Sequence, residues 1–191
     1  MATTFKSPDG SMMFERITQP IWDSASLASG GTSANFFGDK LGSGTSAWNA
    51  AGAKTLEDTN MTVAGSLPAG YTFHAKAVGV QFDPGISIAN LKAIMKLGAL
   101  TLKIASKDQL QLPLVMLPSA SGIDGFATTA TTDVGHNGVS DVRNVFPLDN
   151  EITFLPNQNI TCAINWSTGP VLSATQPIRL MFFGWLDRPV Q

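Results

Sequence analysis

The sequence is poor in the residues that carry out chemistry. A single cysteine, Cys162, and two histidines, His74 and His136, occur in 191 residues. One thiol excludes an intramolecular disulfide and any cysteine cluster for a metal. The histidines are far apart and stand in no His-x-x-x-His or His-Glu-x-x-His pattern, which excludes the common helical zinc motifs. Gly-x-Ser-x-Gly and the Walker A pattern are missing, and Gly42-Ser43-Gly44 lacks the Lys-Ser/Thr that would follow in a phosphate cradle. The paired carboxylates Glu57-Asp58 and Asp149/Glu151 read as solvated loop charge. No enzyme, cofactor or metal is expected from these absences.

Charge is scarce as well. Only 14% of residues are charged, against roughly 25% in ordinary soluble proteins. The twelve basic residues are scattered and the formal net charge is -2, so no basic stripe is present and direct nucleic-acid binding is not expected. A surface of small neutral side chains can be buried against neighbours without a heavy desolvation cost, which favours assembly. No apolar run approaches the roughly 18 residues of a membrane-spanning helix. Residues Met1 to Asp9 lack the apolar core of a secretion signal, so synthesis in the cytosol is expected.

What is present is β patterning. The 43% hydrophobic content suffices for one core, placing a single domain at 21–191 behind an arm or irregular lead-in at 1–20, where Pro8, Asp9-Gly10 and Pro20 interrupt any period. Short strands are predicted around Ile21 to Leu27 and Ala34 to Phe37, and a longer one over Thr72 to Phe82. Ile88, Leu91, Ile94 and Met95 share one face of a helix that Ser87 caps and Gly98 closes. Leu100, Leu102 and Ile104 alternate with polar residues, and after Ser106-Lys107-Asp108 the alternation resumes through Leu110, Leu112 and Leu114. Ile160, Cys162, Ile164 and Trp166 alternate likewise, with Cys162 on the apolar side as an inert core residue. The last strand, Ile178 to Leu186, is apolar on both faces except for Arg179, and a neighbouring subunit is a candidate cover for its outer face. Between them, Pro118 to Asp141 reads as a long loop in which Asp124, Asp133, His136, Asn137 and Asp141 are more plausibly turn formers than calcium ligands. His74 reads as a solvent-facing strand residue.

The fold class predicted is all-β, an antiparallel two-sheet jelly-roll sandwich with one short helix. Aromatic, methionine and arginine side chains that a core does not need are candidate assembly contacts: Met13, Phe14, Phe36, Phe37, Phe183, Trp185 and Arg188.

The order of several short motifs resembles the single jelly-roll capsid proteins of tailless icosahedral bacteriophages. These are Ile21-Trp22-Asp23, Phe36-Phe37, Thr59-Asn60-Met61, Gly65-Ser66-Leu67-Pro68, Leu100-Thr101-Leu102-Lys103-Ile104, Leu112-Pro113-Leu114 with Leu117-Pro118, and the closing Gly184 to Gln191. The resemblance implies two four-stranded sheets and no catalytic residues. It also implies a structural role in an icosahedral virion after synthesis in the host cytoplasm, with copies of itself, other capsid proteins and an internal viral membrane as partners. A basic arm for genome contact is absent. Two other functions share this fold class: a receptor- or carbohydrate-binding module that stacks sugar on an exposed Trp48 or Trp166, and a cupin-type enzyme, for which two histidines are too few.

Overall fold

The computed structural model describes residues 3–6, 13–49, 51–83, 85–117, 123–126, 134–137 and 145–190. Among these, the elements in chain order are β1 (Thr3–Lys6), β2 (Met13–Thr18), β3 (Ile21–Leu27), β4 (Ser33–Phe36), β5 (Thr72–Phe82), α1 (Ile88–Leu97), β6 (Gly98–Ile104), β7 (Lys107–Pro113), β8 (Ile123–Phe126), β9 (Val134–Asn137), β10 (Phe146–Phe154), β11 (Ile160–Trp166) and β12 (Gln176–Pro189). The protein is all-β, with two main antiparallel sheets and one short α-helix.

The first sheet runs β1-β2-β12-β5-β10, with β3 also paired to β12. Strands β2 and β3 form one interrupted line along β12: β2 faces Trp185 to Pro189 and β3 faces Gln176 to Phe182. Pro20 lies in the interruption, where a residue without an N–H interrupts a ladder at least cost. The second sheet runs β4-β11-β6-β7. Side chains of alternate residues meet between the sheets: Phe73, Val78, Val80, Ile178, Leu180 and Phe182 from the first, Leu100, Leu102, Ile160, Cys162 and Ile164 from the second. Burial pushes the Cys162 thiol pKa up, as befits the inert core residue expected.

Where β12 crosses β5, Phe183 faces Ala77 and Gly184 faces Ala75, leaving Lys76 as an extra residue. This bulge reverses the in-out parity of β5, so Phe73 and Ala75 on one side and Val78 and Val80 on the other all point to the core. Gly184 is required here, because a Cβ would fall on the His74 carbonyl.

Several local expectations are corrected. Residues 1–20 are not wholly irregular, since β1 and β2 form a hairpin that extends the first sheet. Gly98 does close α1, but in an extended conformation (φ -74, ψ 141), and it begins β6. Ser87 caps the start as expected, accepting from the Asn90 N–H, and at the other end Trp166 Nε1 donates to the Ile94 carbonyl at 2.7 Å. A Cβ on Gly98 would lie 2.8 Å from both Trp166 Nε1 and Leu114 Cδ2. The β6-β7 turn falls at Ala105-Ser106, one residue earlier than expected, with φ of 48 and 74. Within 118–141, β8 and β9 pair as a hairpin with Asp124 opposite His136. Asp133, Asp141 and the side chains of Asp124, His136 and Asn137 lie outside the described residues.

Candidate functional site

The outer face of the first sheet carries a ladder of charged and aromatic side chains drawn from five strands. The parity that sends Phe73 and Ala75 inward sends His74 outward, opposite Trp185. Its ring stacks on the indole with centroids 5.5 Å apart. His74 Nδ1 meets Glu151 of β10, and Nε2 lies 3.2 Å from Asp187 of β12. Each carboxylate is also held by a cation: Arg16 Nε and Nη2 donate to Asp187 at 2.7 Å each, and Lys76 Nζ lies 2.9 Å from Glu151. Both cations also lie over the Trp185 ring, at 5.0 Å each, and Arg16 reaches the Phe5 ring at 5.3 Å. The network Lys76–Glu151–His74–Asp187–Arg16 thereby fastens the β1-β2 hairpin to the rest of the sheet. His74 is therefore not the solvent-facing residue expected; its side chain is 19% exposed.

The electrostatics follow from these contacts. Pairing with Asp187 raises the Arg16 pKa. The hydrogen bond from Lys76, opposed by burial and aided by His74, holds Glu151 down at about 2 from an ordinary 4.5. A carboxylate that releases its proton more readily when folded stabilises the fold fully above the unfolded value and loses that contribution as pH falls through the folded one. Acid titration should therefore show stability declining between about pH 4.5 and 2 through this group. Glu151→Gln should flatten that decline, and at neutral pH it should cost less than about 1 kcal/mol because the pair is partly exposed. Urea midpoints measured across the pH series check both expectations.

The seven candidate contact residues fall into two groups. Met13 is 45% exposed, and Phe14 stacks on Phe5 with centroids 5.8 Å apart. Trp185 is half-buried within the ladder, and its Nε1 is the one buried side-chain nitrogen or oxygen among the described residues without a hydrogen-bond partner. Phe183 is half-buried opposite Ala77. Arg188 pairs with Glu15 and lines a cleft with Tyr71, Met61 and Leu186. Phe36 and Phe37 are corrected: both are core residues, 2% and 0% exposed, because β4 turns Phe36 inward and Phe37 packs on Phe182 at 6.0 Å.

The cover over the other half of β12 is also a correction, since the chain supplies it itself. Arg179 lies 4.9 Å over the Trp48 ring and donates to Gln81 Oε1 at 2.8 Å and to the Glu57 carbonyl. Trp48 Nε1 donates to Ser24 Oγ at 3.1 Å and Trp22 Nε1 to the Leu56 carbonyl at 3.1 Å. The β4-β5 connection thus folds onto the outer face of β3 and β12. It also closes the edge of β3, where the Asn60 side chain accepts from the Trp22 N–H at 3.0 Å and donates to the Pro20 carbonyl at 2.8 Å. Lys54 of the same connection donates to both Asp23 oxygens at 2.8 and 2.9 Å, and both side chains are buried. Burial raises the Asp23 pKa, against the pull of Lys54 and the Phe37 N–H.

None of this assembles a reactive centre. The carboxylates in the ladder are taken by cations, and no group of three or more potential metal ligands occurs among the described residues. No described helix is long and apolar enough to cross a membrane. No family model matches the sequence, and no curated protein matches it.

Proposed function

We propose that this chain is a single jelly-roll capsid protein, a structural subunit that assembles with copies of itself and with other capsid proteins into the icosahedral shell of a tailless virus. The observation that carries this proposal is strand order. Taking β3, β4, β5, β6, β7, β10, β11 and β12 as strands one to eight, the sheets read one-eight-three-six and two-seven-four-five. The pairs one-eight, two-seven, three-six and four-five are those of a single long antiparallel ribbon folded at β6-β7, and rolling that ribbon brings eight beside three and seven beside four. Such a roll is the architecture of many viral capsid subunits, lectin domains and cupins.

Two features favour the shell over the other occupants of the fold. A sugar-binding module needs an open aromatic platform, but Trp166 is 3% exposed and Trp48 is covered by Arg179. Low charge, together with a network of mutually paired side chains on the outer sheet face, suits a protein whose function lies in its contacts. The motif order that resembles phage capsid proteins points the same way. Localisation in the virion and contact with an internal viral membrane belong to the same proposal. Electron microscopy and sedimentation of the purified chain test it: capsomers or closed particles are expected as concentration rises. A chain that stays monomeric at high concentration across salt and pH overturns it.

A further inference from the structure

We infer that β1 is the seam through which two copies join, pairing antiparallel across a twofold axis so that the first sheets of both copies run continuously. This deepens the assembly proposal and rests on it. The other strand edges of the main sheets are spoiled for pairing. The Asn60 segment occupies the edge of β3. Strand β10 carries Pro147, Asp149 and a register break before Ile152, β7 opens on Lys107-Asp108 and ends on Pro113, and β4 lies beside the β4-β5 connection, where the Gly65 N–H donates to the Phe37 carbonyl. Strand β1 has no proline, no acidic residue and no bulge; it pairs with β2 without a break, and all four of its residues are exposed. It is the last strand of its sheet, so its second edge has no strand partner among the described residues. An exposed strand edge is a template for another chain.

The register follows from geometry. Opposed residues in an antiparallel pair both direct their backbone groups toward the partner or both direct them away. Across a twofold axis, therefore, one residue of β1 must face its own copy: Thr3, Thr4, Phe5 or Lys6. Centring on Lys6 opposes like charges, which is unfavourable. Centring on Phe5 places Thr4 against Lys6 and continues the Phe14–Phe5 stack into the second copy, giving the aromatic cross-strand pair that favours a sheet most.

Cysteine cross-linking tests both seam and register, since Cys162 is buried and does not compete. Opposed residues lie about 4.5–5.5 Å apart between Cα atoms, within disulfide reach. Under mild oxidation Phe5→Cys should convert to a covalent dimer as its dominant species. Lys6→Cys alone should not, while a mixture of Thr4→Cys and Lys6→Cys chains should give the heterodimer. Absence of every cross-link from Thr4→Cys, Phe5→Cys and Lys6→Cys chains, alone or mixed, in chains that still form particles by sedimentation overturns the β1 seam and leaves the capsid proposal standing. Lys6→Cys homodimers overturn the register, and a chain monomeric at every concentration overturns both proposals.

Discussion

Asp23→Ala should destabilise the protein by about 3–5 kcal/mol, because removing one member of a buried ion pair strands the other. Lys54 is 5% exposed, and its Nζ donates to both oxygens of Asp23. The same carboxylate accepts from the Phe37 N–H at 2.5 Å. Phe37 has φ 65, a left-handed conformation that a bulky residue adopts only when its surroundings impose it. Truncation therefore leaves a buried cation, an unpaired N–H and a strained backbone together. At about 2–4 °C per kcal/mol for a chain of this size, the melting temperature should fall by about 6–20 °C. The double variant Asp23→Leu with Lys54→Met should recover much of the loss, since apolar replacement of a buried pair is often neutral. Recovery should be incomplete, because the Phe37 N–H still lacks its acceptor. Urea unfolding of the single and double variants checks this, and a single variant losing less than about 1 kcal/mol would show the pair to be dispensable.

Gly184→Ala is the second large effect. Gly184 lies in the middle of β12, facing Ala75 beside the bulge, and its missing side chain leaves room for the His74 carbonyl. That obstacle is backbone, so no rotamer change removes it; β12 has to part from β5 or the bulge has to move. Either response disturbs two central strands, and a loss of about 3 kcal/mol or more is expected. Hydrogen exchange should quicken for the amides of β5 and β12 on both sides of the substitution. Unchanged exchange there, with a loss under about 1 kcal/mol, would mean that the neighbouring backbone yields easily.

Elements whose own periodicity matches their environment were legible in the sequence. Thr72 to Phe82 and Ile160 to Trp166 coincide with β5 and β11, and Ser87 caps α1. The β6-β7 turn was displaced because Ala105 and Ser106 adopt positive φ without the Asn-Gly signature that marks such turns. The β1-β2 hairpin was missed because its pairing partner, β12, lies far along the chain and leaves no local trace. For the candidate site, the apolar β12 and Trp185 were visible, but the ion pairs from Arg16 to Asp187 and from Lys76 to Glu151 unite strands distant in sequence. One local signal does mark the buried pair: Asp23 sits in phase with Ile21, Ala25 and Leu27, so strand parity alone turns it toward the core. Phe36 and Phe37 were misplaced because aromatic residues in a polar stretch look alike whether they fill a core or a contact.

The position of β12 between β3 and β5 governs the order of folding. Of the strands described, it is synthesised last, yet it forms the centre of its sheet. Until it emerges, β3 has no ladder partner and β5 is paired only with β10. Closing such distant pairs is entropically slow. Before β12 is made the first sheet lacks its central strand, whereas the strands of the second sheet are all in hand once β11 is made. Folding is thereby timed to the end of translation of this region, and partly made chains lack the finished β12 to which β2 and, through it, β1 are fastened.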